Sequence, residues 1–477
     1  MFVYSTMVLN TEREKVAHLL RRFALGASEA ELDYYGKNGL AGAIDLLLSP
    51  PEDDGFPFQI EVLANDKGVI NLPALKAWWG ARILATKFPL QERLTLFWHD
   101  HFATATQKVN AVGPMEDQNQ AIRANALGRF EDLLLAMAKD PAMIYWLDNQ
   151  LNVKGKPNEN FGREIMELFT IGIGHYTEKD VQECARAFTG WGYGTVARRR
   201  QVQDIPRRNT TFIFDPARHD DGMKEILRNK GPFNGDDVCG ILAGHPETAK
   251  HLTKKFLEFF ACQNPEEAWI ERLAKKYRDN GLKTSVLVRA IMESPEFYSD
   301  KCARKLYKSP IDFCMVTVRQ LGLGRQVREF LTAGPDTDVK KRQAVSVPAV
   351  AAQAMVGMGM ELFNPPDVAG WDWGPSWITT ATMLERIKFA DRIFGPPQPR
   401  SLTLRYPATS LLRPGDTPET FARALVQIFD APLPEAKIKQ LESAAISAAG
   451  NNLGVNANKV ALAVTKLIFA SPEFQFS

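Results

Sequence analysis

What most constrains this chain is its punctuation: runs of helical periodicity, each opened by a capping residue and closed by Gly or Pro. Thr11 and Glu14 make the pattern of a capping box, Val16, Leu19, Leu20 and Phe23 follow at spacings of three and four, and Gly26 stops the run. Ser28 and Glu31 open a second segment that Gly39 closes. Leu40, Ile44, Leu47 and Leu48 make a third, ended by Ser49, Pro50 and Pro51. The same order returns with Ala249, Leu252, Phe256 and Phe259, and again in PETFARALVQIF and NKVALAVTKLIFASPEF near the end. SPEF itself occurs twice, at 294–297 and 471–474. These copies are dispersed rather than tandem, so they cannot stack as a solenoid. The expectation is an all-α fold, a multi-helix globular bundle with dispersed helical repeats.

One stretch departs from this grammar. Residues 192–235 lack helical periodicity, and 211–214 alternate as a strand does, so a small β-hairpin or irregular insertion is expected there. Segments 332–348 and 395–416 are rich in Pro, Gly and polar residues and read as linkers. The organisation that follows is a main helical domain over 8–394, a linker over 395–416 and a C-terminal helical segment over 417–477 packing on the main body.

Charge excludes some partners. With 58 basic and 56 acidic residues the net charge is +2, which gives no overall field for nucleic acid or an anionic membrane. The densest basic stretch, ARRRQVQDIPRR with Arg198, Arg199, Arg200, Arg207 and Arg208, has no interleaved aromatics for bases to stack on and reads as a solvated loop. Five cysteines lack any CxxC spacing and read as free, mostly buried thiols. The N-terminus MFVYSTMVLNTEREK has neither a signal-peptide hydrophobic region nor a membrane span, so as written a cytoplasmic location and no membrane insertion are expected.

The stretch NENFGREIMELFTIGIGHY, residues 158–176, carries the strongest functional signal. Asn160, Arg163, Glu164 and Glu167 fall on one side of a helix, while Phe161, Ile165, Leu168 and Phe169 leave little room for a broad wet face. An exposed salt-bridged side is the simpler alternative. Buried, the two carboxyls must be paired or protonated, with Arg163 and a nearby histidine as available partners. Carboxyls crowded in this way have their proton affinities pushed apart, as acid and base catalysis requires. They could also hold a divalent metal, although no Glu-x-x-His completes the helical di-metal pattern, and no metal ligand is assigned.

Three further groups stand beside the stripe. His99 and His101 in WHDHF lie about 200° apart on a helix and cannot share a ligand there, so one is expected to cap a core carbonyl and the other to face solvent. FDPARHDDGMK presents His219, Asp220 and Lys224 on an irregular segment, with an Asp-stabilised turn as the alternative reading. NPPDVAGWDWGPSW packs Trp371, Trp373 and Trp377 among Gly and Pro, either as a pocket wall or as a plug against the core. Neither GxSxG, a P-loop, GxGxxG nor HExxH occurs.

FWHDHFAT, GKPNENFGREIMELFTIGIGHYTEKDV with ARAFTGW, FDPARHDDGMKEIL, GHPETAKHLTKKF, SPEF and FNPPDVAGW together resemble, in this order, the bacterial domain-of-unknown-function 1800 family. The resemblance implies a helical protein without an established reaction, often exported, and often encoded beside a member of the domain-of-unknown-function 1501 family, which is similar to sulfatases and phosphatases. The family motifs fall on His101, Asn160, Arg163, Glu164, Glu167, His219, Asp220 and Lys224.

The resulting expectation is one interior polar site. His101, Glu164, Glu167 and His219 would do acid and base work in a hydrolase acting on a polymer or anionic substrate, with Asn160, Arg163, Asp220, Lys224, Trp371 and Trp377 binding it. The alternative is a non-catalytic binding or assembly partner of a domain-of-unknown-function 1501 protein. The cofactor is unknown.

Overall fold

The computed structural model describes residues 9–51, 56, 58–65, 67–195, 209–332, 337–397 and 402–477. The arginine-rich stretch at 197–208 lies outside the described residues. The chain is predominantly α-helical, with two small antiparallel strand pairs among the described residues. Trp191–Thr195 pairs with Thr210–Phe214, and Lys224–Ile226 with Asn229–Gly231, so the irregular segment does hold hairpins, including the strand at 211–214. All five cysteines are free and buried.

Contacts divide the chain into two units, one of Met1–Leu90, Pro295–Leu362 and Asp372–Ser477, the other of Gln91–Ser294 and Phe363–Trp371. In the first, capping boxes form as the spacing predicts: Thr11 with Glu14, Ser28 with Glu31, Ser309 with Asp312. Each cap satisfies amide groups that the first helical turn leaves without partners, worth about 1 kcal/mol. The SPEF echo is structural as well: Pro295–Tyr298 and Pro472–Gln475 are both 3-10 turns that bury a phenylalanine. Phe297 sits against Phe23 and His18, and Phe474 against Phe313 and Phe469.

The linker expected at 332–348 is overturned. Outside 333–336 this stretch is helical, with helices Thr337–Ala344 and Ser346–Gly357. Pro348 misled the reading because it lies in the first turn of the latter helix, where a missing N–H breaks no hydrogen bond. Residues 402–416 hold one 3-10 turn, Ala408–Leu411, and are tied down through Asn458, which accepts from Ala408 N–H and donates to Tyr406 O.

Leu453–Ala470 is the helix among the described residues that is long and apolar enough to cross a membrane. It packs instead against Thr380–Phe394, Pro418–Ile428 and Glu435–Ala449, and buries Val460, Ala461, Val464, Ile468 and Phe469 among them.

The second unit builds its core on Pro89–His101, from which Leu94, Phe97 and Trp98 are buried. Trp98 packs on Phe102, Phe130 and Phe256, and its indole N–H donates to Ala126 O at 3.0 Å. Such aromatic packing supplies much of a core's apolar burial. Glu159–Glu167 and Glu178–Ala187 pack together closely enough that a Cβ at Gly162 would meet the backbone of Val181 and Ala185.

Candidate functional site

The Glu159–Glu167 helix starts at Asn158, whose side chain caps Asn160 N–H, and buries Phe161, Gly162, Ile165 and Met166. Its other side is neither dry nor fully wet. Asn160 is exposed and donates to Leu147 O at 3.1 Å, whereas Arg163, Glu164 and Glu167 are half-buried. A nine-residue helix with a sharply apolar face has room for one partly covered polar stripe, which is less burial than the flanking residues implied.

The partners of that stripe lie in the following turn. Arg163 forms a two-pronged pair with Glu178 at 2.9 and 2.6 Å, which holds the Glu178 carboxyl below its ordinary range. Tyr176 donates its hydroxyl to Glu167; burial and that carboxylate push the phenol up to about 12. The Glu164 carboxyl is left without a hydrogen bond or ion pair among the described residues. Burial first, and then the charge of Glu167, raise its proton affinity, with Arg163 opposing. The outcome is two neighbouring carboxyls in different settings, one fixed by a donor and one bare.

His101 is buried and its Nε2 meets Phe169 O at 3.1 Å just beyond the same helix, so it caps a core carbonyl as the spacing suggested. Burial, then the charges of Lys255 and His251, hold it well below the usual imidazole range. The companion expectation that His99 faces solvent is overturned. His99 is fully buried, edge-on to Phe363 and 6.2 Å from the Trp371 ring, and burial lowers it to about 3. The helix end is enclosed on both sides, which the charged neighbour Asp100 disguised in the sequence.

His219, Asp220 and Lys224 do converge with one another, on the Glu178–Ala187 helix. Asp220 takes a bidentate pair from Arg186 at 2.8 and 3.2 Å, which lowers its carboxyl to about 2. Its backbone N–H donates to Thr189 Oγ1, while His219 Nδ1 lies 2.9 Å from Thr189 O. Lys224 is buried, donates to Asp220 O at 2.5 Å and Gly222 O at 3.0 Å, and is lowered by that burial. This is an Asp-centred turn with its cations engaged internally.

Trp371 and Trp377 are both buried and fall in different units. The backbone N–H of Trp371 donates to Asp100 Oδ1 at 2.7 Å, beside Gly370, whose φ of +94° and close approach to the same carboxylate exclude a side chain. Trp377 meets the Trp373 ring edge-on. Among the described residues, no hydrogen bond or ion pair joins the side chains of the Glu164, His101 and Asp220 groups. Sequence reasoning missed Tyr176, Glu178 and Arg186 as partners, and it missed His251 and Lys255 altogether. The visible signal for the last two was their spacing of four in HLTKKF. No set of three or more His, Cys, Asp or Glu side chains that could hold a metal occurs among the described residues.

A family model described as "Protein of unknown function (DUF1800)" matches residues 18–476. The chain belongs to that family. No curated protein and no solved structure matches it.

Proposed function

We propose that the protein is an acid–base hydrolase of a polymer or anionic substrate, in which Glu164 delivers the proton and Glu167 stands beside it as the second carboxyl of the site. The observation that carries this reading is the inequality of the two carboxyls. Glu167 accepts the Tyr176 hydroxyl, while Glu164 is half-buried with no donor and burial raises its proton affinity. A general acid must enter the reaction protonated, and the raised proton affinity of Glu164 suits it to that role. Glu164→Gln is expected to cut turnover about 10²- to 10⁴-fold, measured on whichever of a panel of chromogenic glycosides, phosphate esters and carboxylic esters the wild type hydrolyses. Turnover of none of them by the wild type, or full activity in the Gln variant, would remove this reading.

A second reading is a non-catalytic assembly partner of a domain-of-unknown-function 1501 protein. It draws support from the way Arg163 pairs with Glu178, Arg186 with Asp220, and Lys224 with nearby carbonyls, as braces do. Mixed with a purified protein of that family, the chain is then expected to elute from a sizing column as one earlier peak. Two unshifted peaks at micromolar concentration would end it.

A further inference from the structure

In the first unit, the last turn of the helix Glu12–Phe23 carries Arg21 and Arg22. This helix packs on the chain between Phe297 and Arg304: His18 Nε2 lies 3.0 Å from Phe297 O, and Arg22 donates to Cys302 O at 2.7 Å. At the end of that segment Arg304 joins Arg21 on a single carboxylate. Arg21 Nη1 meets Asp430 Oδ2 at 3.0 Å, and Arg304 Nη2 meets Asp430 Oδ1 at 2.6 Å. The two arginine side chains are only 9% and 11% exposed, while the carboxylate they share is 25% exposed, so the cluster is buried yet opens to solvent at Asp430.

Each oxygen of Asp430 goes to a different arginine, and neither guanidinium is completed by it. Arg21 uses Nη1 alone, so its Nε–Nη2 edge, along which two parallel N–H bonds take an oxyanion side-on, makes no hydrogen bond among the described residues. Arg21 Nε and Arg304 Nη1 are both buried without a partner there. Because both arginines touch one carboxylate, these unengaged donors belong to a single cluster. Arg304 and Asp430 are also held in the left-handed region, with φ of +53° and +50°, which residues with side chains seldom adopt and which packing must impose. A third cation, Lys308, is buried with Nζ 3.4 Å from the centroid of the Phe474 ring, and it makes no hydrogen bond or ion pair among the described residues. Burial first, and then the charge of Arg304, hold its ammonium well below the ordinary lysine range, with Asp430 opposing. Positive charge therefore exceeds what Asp430 offsets.

We propose that this cluster binds a phosphate group, whose oxygens take the Nε–Nη2 edge of Arg21 and the Nη1 donor of Arg304 beside Asp430. A tetrahedral oxyanion offers separate oxygens to both arginines at once, and its charge meets the excess that the lone carboxylate leaves. Chloride has no pair of acceptors for a fork. The proposal does not depend on Glu164.

The test is isothermal titration calorimetry on the full chain at neutral pH, with inorganic phosphate and, separately, glycerol 3-phosphate, against sodium chloride at equal ionic strength. Saturable binding of one phosphate per chain is expected, with none for chloride. Binding of both probes assigns the site to the terminal phosphate of a small ester, and binding of inorganic phosphate alone assigns it to the free ion. Arg21→Lys keeps a cation near Asp430 but has no fork, so it should bind about 10- to 100-fold more weakly, the contribution of one charge-assisted hydrogen bond. Asp430→Asn removes the competing negative charge and should bind more tightly than wild type, a gain that a misfolded variant cannot produce. Wild-type protein that binds neither probe, or an Asn variant that binds no more tightly than wild type, overturns the proposal.

Discussion

Glu92→Ala is expected to destabilise the protein by about 3–5 kcal/mol, read as a lower midpoint in urea unfolding. Glu92 and Arg123 are both buried, and the guanidinium meets the carboxylate through Nε at 2.5 Å and Nη2 at 3.1 Å. Asn119 and Gln120 accept the remaining donors, Asn119 Oδ1 at 2.7 Å and Gln120 Oε1 at 2.8 Å. Truncating the carboxylate takes away the charge that meets this buried guanidinium in two hydrogen bonds, and a buried charge stripped of such a partner is the costly state. The double replacement Glu92→Leu with Arg123→Met removes both charges and should recover most of the loss, because the pair's attraction does little more than offset its own desolvation. Equal destabilisation in the single and double variants would show that shape rather than charge sets the cost.

The same pair shows what was legible in the sequence and what was not. Helix starts could be read because a cap and its partner lie three residues apart. Thr11 and Ser28 each receive the hydrogen bonds their spacing implied. Glu92 and Arg123 are 31 residues apart, and nothing local marks either as buried. The polar stripe was placed correctly on its helix, but its partners depended on the path of the chain after Gly172 and Gly174. Both take positive φ and bring Tyr176 back to Glu167. For Arg186 the clue lay in plain view three residues after Glu183, yet its main partner, Asp220, comes from the hairpin segment 34 residues on. Trp371 and Trp377 looked like one wall because they share a loop, and the unit boundary passes between them. Lys255 was hidden for another reason: two adjacent lysines on an amphipathic helix look solvated, and the neighbouring Lys254 is largely exposed.

A fall in stability of about 4 kcal/mol between pH 4 and pH 7 is expected from Asp140 alone, seen as the difference between wild type and Asp140→Asn. Asp140 is buried at the start of Pro141–Trp146, where it accepts from Met143 N–H at 2.8 Å and Gln118 Nε2 at 2.7 Å. Burial raises its carboxyl to about 7 against those two donors. Its folded pKa therefore lies above its unfolded one. The stabilisation is fully present below the unfolded value, near 4, shrinks as pH rises, and is gone once the folded group ionises near 7. Asparagine keeps the oxygen that accepts both bonds and cannot titrate. The two proteins should thus unfold alike at pH 4 and diverge steadily above it, with the Asn variant the more stable at pH 8. Parallel curves across this range would mean that Met143 N–H and Gln118 hold Asp140 ionised throughout. The consequence reaches the candidate site, because Leu147 O and Asp148 O, just past this short helix, anchor Asn160 and Asn158 at the start of the polar stripe. An ionised Asp140 weakens the ground on which Glu164 and Glu167 stand. Any acid–base activity they have should therefore lose thermal resilience above neutral pH in the wild type, and keep it in the Asn variant.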